Sequence, residues 1–244
     1  MRQSWKNLLF LHWQYDPPTL QRLLPKGLQI DTFNDQAYLG IVPFFMANIR
    51  PSGLPSLPWI SNFLELNVRT YVIDTRTGTP GVWFFSLDCN RWPAVAIARK
   101  KFHLPYSHAS MSTSGTATGL VDYRCRRRDQ TSTSRFVYPT LTQPLNPAKP
   151  GSLDFFLVER YRLFAFDPAT STLHSGAVSH TPYRIAPADI RTFDTLPFSW
   201  NNIAAPPDPT PVHACISPGV DVAIYPLRSA ISAAPTFCPE PSAA

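Results

Sequence analysis

Twenty-seven prolines are spread along the 244 residues of this chain. Each one fixes φ and removes an amide donor, so helices and central strands are interrupted wherever a proline falls inside them. Long helices are therefore excluded, and many short elements are predicted. The clearest is FLELNVRTYVID, where Leu64, Leu66, Val68, Thr70 and Val72 alternate with Glu65, Asn67, Arg69 and Tyr71. Period two places the first set on a core and the second on a polar face of a strand. TRTGTPG is a turn, and GVWFFSLDC returns as the second arm of a hairpin. NLLFLHWQY reads as a strand, as does QAYLGIVPFFMANI with an interruption at Pro43. RPSGLPSLPW is a loop.

Two short helices are predicted, and a third segment, SLDFFLVERYRLFAFD, reads as a strand or a helix. In DPPTLQRLLPKGL, Asp16 is a natural N-cap, Pro17 and Pro18 suit the first turn, and Pro25 with Gly27 end the helix. WPAVAIARKKFHLP carries Pro93 in its first turn and Pro105 beyond its end. SLDFFLVERY has helical spacing of its apolar residues. The stretch from 109 to 137 is rich in Ser, Thr and Arg and predicts further antiparallel strands. Hairpins interleaved with short helices define an α+β domain on a curved antiparallel sheet. Residues 1–228 read as one domain and 229–244 as an Ala, Pro and Ser-rich tail.

Several functional classes are disfavoured. LLFL is too short for the apolar core of a signal peptide, and no run is long enough to span a bilayer. The four cysteines have no CxxC spacing and read as free thiols, which points to a cytoplasmic protein. The six histidines show no HxxxH or HxxE spacing, so neither a metal nor another cofactor is expected. GxSxG is absent. The net charge is +6. RCRRRD, residues 124 to 129, is basic, yet only Tyr123 offers a stacking ring nearby. An exposed edge or loop is expected there in preference to a nucleic-acid surface. Glu159 and Arg160 are expected to form an ion pair.

The chemistry-bearing candidates lie in two stretches. Glu65 and Arg69 are four apart on one strand face, about 13 Å, so each needs its own partner. With Asn67 and Tyr71 they form either a solvent-facing strand or the wall of a cavity that binds a carboxylate. In ARKKFHLPY, the run Arg99-Lys100-Lys101 can depress the pKa of a lysine amine, but it can equally be a cation cluster favoured by a helix C-terminus.

LLFLHW, LLPKGLQID, FLELNVRTYV, GVWFFSLD, ARKKFHLPY, LVERY and VHACISPGVDV, in this order and spacing, resemble the YqjF-like proteins of the acetoacetate decarboxylase-like superfamily. The likeness covers roughly residues 4 to 228. It implies a cone-like β-barrel with a few flanking helices and a small-molecule cavity, and it raises the prospect of a homo-oligomer. Decarboxylases of the superfamily use a Schiff-base lysine, an example also familiar as a case of activation by a neighbouring cation. Their lysine pair follows a proline that lies six residues after an arginine. Arg99 and Pro105 keep that spacing, but Tyr106 and Ser107 stand where the lysines belong. The glutamate after the long loop corresponds to Glu65, and a second glutamate is replaced near Gly40. Lys6 aligns loosely with an arginine of the first strand.

Two expectations follow from the likeness. One is a lyase-type enzyme acting on a small oxo acid or carbonyl compound, with Glu65, Tyr106 and Lys101 as the catalytic set. Arg69, Arg99, Lys6, Asn67 and Tyr71 would bind the substrate. The other is a small-molecule-binding protein of the same fold without turnover. Either way the expected partner is a small, carboxylate-bearing molecule, not nucleic acid or membrane.

Overall fold

The computed structural model describes residues 1–50, 61–115, 119–140 and 145–229, without the side chains of Ile97, Ala98, Lys100 and Lys101. The expected loop at 51–60 and the expected tail from 230 lie outside the described residues. In chain order the elements are β1 (Arg2–Tyr15), α1 (Pro17–Gln21), β2 (Leu28–Ile30), β3 (Ala37–Arg50), β4 (Phe63–Asp74), β5 (Pro80–Cys89), α2 (Trp92–Phe102), β6 (Tyr106–Ser114), β7 (Leu120–Arg127), β8 (Ser134–Pro139), β9 (Asn146–Pro147), α3 (Leu153–Val158), β10 (Arg162–Asp167), β11 (Thr172–Ser179), β12 (Arg184–Pro187), α4 (Leu196–Ser199), β13 (His213–Ile224) and β14 (Arg228–Ser229). The two predicted helices are present, and the mixed segment is a helix over Leu153–Val158 followed by a strand over Arg162–Asp167. Asp16 caps α1 through Thr19 N–H, and Ser152 caps α3 through Phe155 N–H.

The strand order β4-β3-β1-β13-β11-β10-β5 closes on itself because β4 also pairs with β5. This closure makes the curved sheet a seven-stranded ring, in line with the expected barrel. β5 is the branch point. Its first half pairs with β10 at Val82 and Trp83, and its second half pairs with β6 at Leu87 to Cys89. Both pairings are parallel, so the sheet is mixed and not wholly antiparallel. The reason is local: α2 carries the chain from the end of β5 back to the start of β6, a crossover that only a parallel pair requires. From β6 a side sheet continues through β7 to β8.

Two large cores result. One gathers Phe10, Val42, Tyr71, Phe84, Leu163, Val178 and Cys215, taking residues from all seven ring strands, and is the ring interior. The other packs Leu9, Leu11, Leu66 and Val68 on the outer wall against Val121, Tyr123, Phe136 and Tyr138 of the side sheet. β4 is thus covered on both faces, so of the two readings the solvent-facing strand is excluded.

Three sequence expectations are corrected. β3 runs through Pro43 unbroken, because β1 leaves its ladder with β3 between Lys6 and Leu11, and Pro43 sits in that gap. The bulge is turned by Asn7 at φ 50°, and Gly219 opposite has no room for a Cβ, which would meet the Trp5 carbonyl oxygen. RCRRRD is no edge, since β7 lies between β6 and β8. Arg124 and Arg126 are exposed and Cys125 and Arg127 buried, while Arg128 and Asp129 lie in the turn beyond β7. Arg127 forks onto Asp88 of β5 at 2.7 and 3.0 Å and also donates to the Trp200 carbonyl at 2.7 Å. Finally, Glu159 and Arg160 do not pair with each other. Glu159 accepts from Tyr183 N–H and Tyr161 O–H, and Arg160 pairs with Asp31 at 2.7 Å.

Asp88→Asn leaves the buried Arg127 guanidinium without a counter-charge and is expected to cost about 3–5 kcal/mol. An apolar pair of similar volume at both positions is expected to recover most of it. Urea denaturation of the three proteins checks both statements.

Candidate functional site in the ring interior

The odd-numbered polar residues of β4 point into the ring. Glu65, Asn67, Arg69 and Tyr71 are each less than a tenth exposed. Tyr106, at the start of β6, donates to Glu65 Oε2 at 2.9 Å. Burial pushes the Glu65 carboxyl up to about 8, against the opposing pull of hydrogen bonds from Tyr106 and Asn67. At neutral pH it is therefore largely an acid, able to donate. Burial also raises the Tyr106 hydroxyl well above its ordinary range, so it is a donor and not a base. Cys89 of β5, paired with Glu65 across the β4–β5 ladder, is pushed up to about 12 by burial and by the carboxyl, which leaves it a poor nucleophile.

Arg69 lies four residues further along. Its Nη2 donates to the Leu157 carbonyl at 3.0 Å and to Tyr71 Oη at 3.3 Å. Its guanidinium packs over the Phe10 and Tyr71 rings at 5.3 and 5.7 Å. Among the described residues no carboxylate forms an ion pair with it. Its Nε is buried without a hydrogen-bond partner, and so is Asn67 Oδ1. Orphaned buried groups of this kind cost about 1–3 kcal/mol each, more when charged. A buried cation without an ion-paired carboxylate among the described residues thus lies two positions along β4 from an unpaired amide oxygen.

The far end of the row was not predicted. Tyr71 Oη lies 2.7 Å from the Leu157 carbonyl oxygen and 2.6 Å from His12 Nε2. His12 Nδ1 lies 2.9 Å from His213 Nδ1, and His213 Nε2 lies 2.9 Å from Asp154 Oδ1. Both histidines were set aside because their sequence spacing matches no motif. They meet across a strand pair, since His12 of β1 is directly opposite His213 of β13. One signal was legible: alternation through LLFLHW puts His12 on the same face as Phe10. Gly40 is the other half of this arrangement. A Cβ there would lie 2.9 Å from His12 Cδ2, so the missing side chain is what admits the imidazole.

Glu65, Asn67, Arg69, Tyr71 and Tyr106 are thus brought together, and Arg99 and Lys6 are not among them. Arg99 is exposed on α2, where its Nε donates to the Tyr106 carbonyl. Lys6 is exposed on β1 beside the bulge. Lys101 belongs to α2, but its side chain lies outside the described ones. A separate cleft of about 480 Å³, lined by Arg2, Ser4, Asn48, Arg50, His180 and Asp221 among others, involves none of the predicted site residues.

The metal-ligating types do converge once among the described residues. His103, Asp167 and His174 hold ligand atoms within 4.8 Å of one another. The two rings stack at 5.5 Å, while Asp167 accepts from Ala169 N–H and Thr170 O–H. This cluster ties the C-terminus of α2 to the β10–β11 turn, outside the interior site.

Residues 2–221 match DUF2071, described as an uncharacterized conserved protein, and the chain belongs to that family. It is 35% identical over 228 residues to the uncharacterized protein YqjF of Bacillus subtilis, covering 93% of this chain and 91% of that one. Its fold is that of the acetoacetate decarboxylase-like proteins. The acetoacetate decarboxylase of Legionella pneumophila superposes with a TM-score of 0.64 at 12% identity, over 93% of this chain and 86% of that one. The enduracididine biosynthesis enzyme MppR complexed with pyruvate gives 0.62 at 14%, over 93% and 89%. An acetoacetate decarboxylase-like enzyme from Sphingomonas wittichii RW1 gives 0.61 at 14%, over 93% and 92%.

The raised Glu65 value has a sign that can be tested. The folded value of about 8 lies above the ordinary 4.5, so the native chain holds a proton that the unfolded chain releases between them. That contribution to stability is present at low pH and is lost as pH rises to 8. Glu65→Gln removes it. The variant is expected to gain stability relative to the parent by up to about 1.4 kcal/mol per pH unit across that window. Denaturation midpoints of the two proteins at several pH values check the slope.

Proposed function

We propose that the ring interior binds a small carboxylate-bearing carbonyl compound, with Arg69 as the carboxylate anchor and the Glu65–Tyr106 pair facing the carbonyl. One observation carries the reading: Arg69 is a buried cation whose Nε has no partner and which no described carboxylate neutralises. A guanidinium recognises a carboxylate with charge-assisted hydrogen bonds, and the dry interior strengthens them. Asn67 Oδ1 accepts a hydroxyl or enol proton from the same ligand. Glu65, protonated at neutral pH, donates to the carbonyl oxygen, and Tyr106 holds that carboxyl in place. The binding of pyruvate by MppR, which shares the fold, makes a small oxo acid the first ligand to try.

Such a site polarises a carbonyl and stabilises the enol form beside it, which is the first half of lyase-type chemistry. A non-catalytic binding role is the second reading. It is favoured by Tyr106, a phenol where the decarboxylases place a lysine, hydrogen-bonded to Glu65. Schiff-base chemistry would have to come from one of the chain's five lysines, Lys101 first among them.

Calorimetric titration with pyruvate and with acetoacetate tests the binding claim. Arg69→Met is expected to weaken binding about tenfold or more, the equivalent of one charge-assisted hydrogen bond. Equal affinity in parent and variant would overturn the anchor. Borohydride reduction in the presence of each compound, read by peptide mass, separates the two roles. A lysine adduct selects the enzyme, and binding without an adduct removes amine catalysis from the account.

A further inference from the structure

The contacts running from Asp154 to Tyr71 can be counted as protons. Four short contacts link Asp154, His213, His12, Tyr71 and the Leu157 carbonyl, at 2.9, 2.9, 2.6 and 2.7 Å. Both ends of this line only accept: Asp154 as a carboxylate and Leu157 as a carbonyl. Two neutral imidazoles and one phenol bring three protons to four contacts. In the three-proton arrangement all donors point outward, with Tyr71 to His12 Nε2, His12 Nδ1–H to His213, and His213 Nε2–H to Asp154. The Leu157 carbonyl is then left to Arg69 Nη2, which donates to it at 3.0 Å. A fourth proton completes every contact: Tyr71 turns to Leu157, His12 carries its proton on Nε2, and His213 becomes an imidazolium against Asp154.

The line also has an inside and an outside. The Asp154 side chain is half exposed. His213 is 9% exposed, and His12 and Tyr71 are fully buried next to Arg69. No side chain has to leave its place for a proton to pass along it.

We propose that Asp154, His213, His12 and Tyr71 form a proton relay joining solvent at α3 to the ring interior beside Arg69. Outward transfer moves one proton per contact. Tyr71 gives its hydroxyl proton to His12 Nε2 and takes one from the bound molecule. His12 passes its Nδ1 proton to His213 Nδ1, and His213 passes its Nε2 proton to Asp154, which releases it to water. Inward transfer is the reverse. The relay rests on the reading of the interior as a ligand site only for what the proton serves. Its protonation states are read without any ligand. The groups facing it are Arg69 from β4, Cys215 from β13 and Arg160, whose guanidinium lies 5.2 Å from the Tyr71 ring. Burial lowers both imidazoles below the ordinary range, and Asp154 pulls His213 back upward. The three-proton arrangement therefore holds at neutral pH, and the fourth proton enters in mild acid.

The test is imidazole nitrogen-15 NMR on the full chain between about pH 4 and 8. The parent is expected to show His12 protonated on Nδ1 at high pH. One coupled step below about 6.5 then transfers that proton to Nε2 as His213 becomes doubly protonated. Asp154→Asn keeps an acceptor but removes the charge, and the step is expected to fall by about one pH unit or more. Tyr71→Phe removes the inner terminus and is expected to hold His12 on Nδ1 throughout. One unchanging His12 tautomer in the parent, or an identical titration in Asp154→Asn, would overturn the relay. Failure of pyruvate to bind would overturn the ligand reading and leave this outcome standing.

Discussion

β4 has water on neither side. Its even-numbered face is sealed by the side sheet and its odd-numbered face by the closure of the ring at β5. An alternating strand normally offers its polar set to solvent. Here that set is taken inside, and each member then demands an answer from the opposite wall. Tyr106 and Asn67 answer Glu65, and the Leu157 carbonyl at the end of α3 answers Arg69 and Tyr71. Gly40 leaves the space into which His12 reaches to meet Tyr71. Arg69 Nε and Asn67 Oδ1 remain unanswered.

The two ends of the interior row suit different tasks. At one end a neutral carboxyl and a phenol supply hydrogen-bond donors without a fixed charge. At the other a guanidinium supplies charge, and a line of imidazoles reaches half-exposed Asp154. With Tyr106 against Glu65, the first end of the row offers hydrogen-bond donors. α3 serves both structure and site: its six residues bring the Leu157 carbonyl to Arg69 and Asp154 to His213.

Much of this was legible in sequence because the signals are local. Prolines kept the helices short, Asp16 marked the start of α1, and strict alternation from Leu64 to Val72 put Glu65 to Tyr71 on one face. What that face looks toward was not legible, because burial on the second side depends on β5 returning beside β4 and on strands far along the chain. The same limit hid His12, His213 and Asp154. They come from β1, β13 and α3, and His12 meets His213 only through the register of β1 on β13. The parallel pairing of β6 was missed for a related reason: a short helix between two strands fits a crossover or a hairpin return equally well until its packing is known.

The central claim is that a carboxyl sealed in the ring stays protonated at neutral pH. Glu65, Glu159 and Glu240 are the only glutamates in the sequence. Carbon-13 labelling of the glutamate carboxyls therefore gives three signals, and Glu65→Gln identifies one of them. The account predicts that this signal titrates near 8, far above the ordinary glutamate range. Titration of all three signals in the ordinary range would mean that water reaches Glu65, and the sealed interior on which the proposed site depends would not exist.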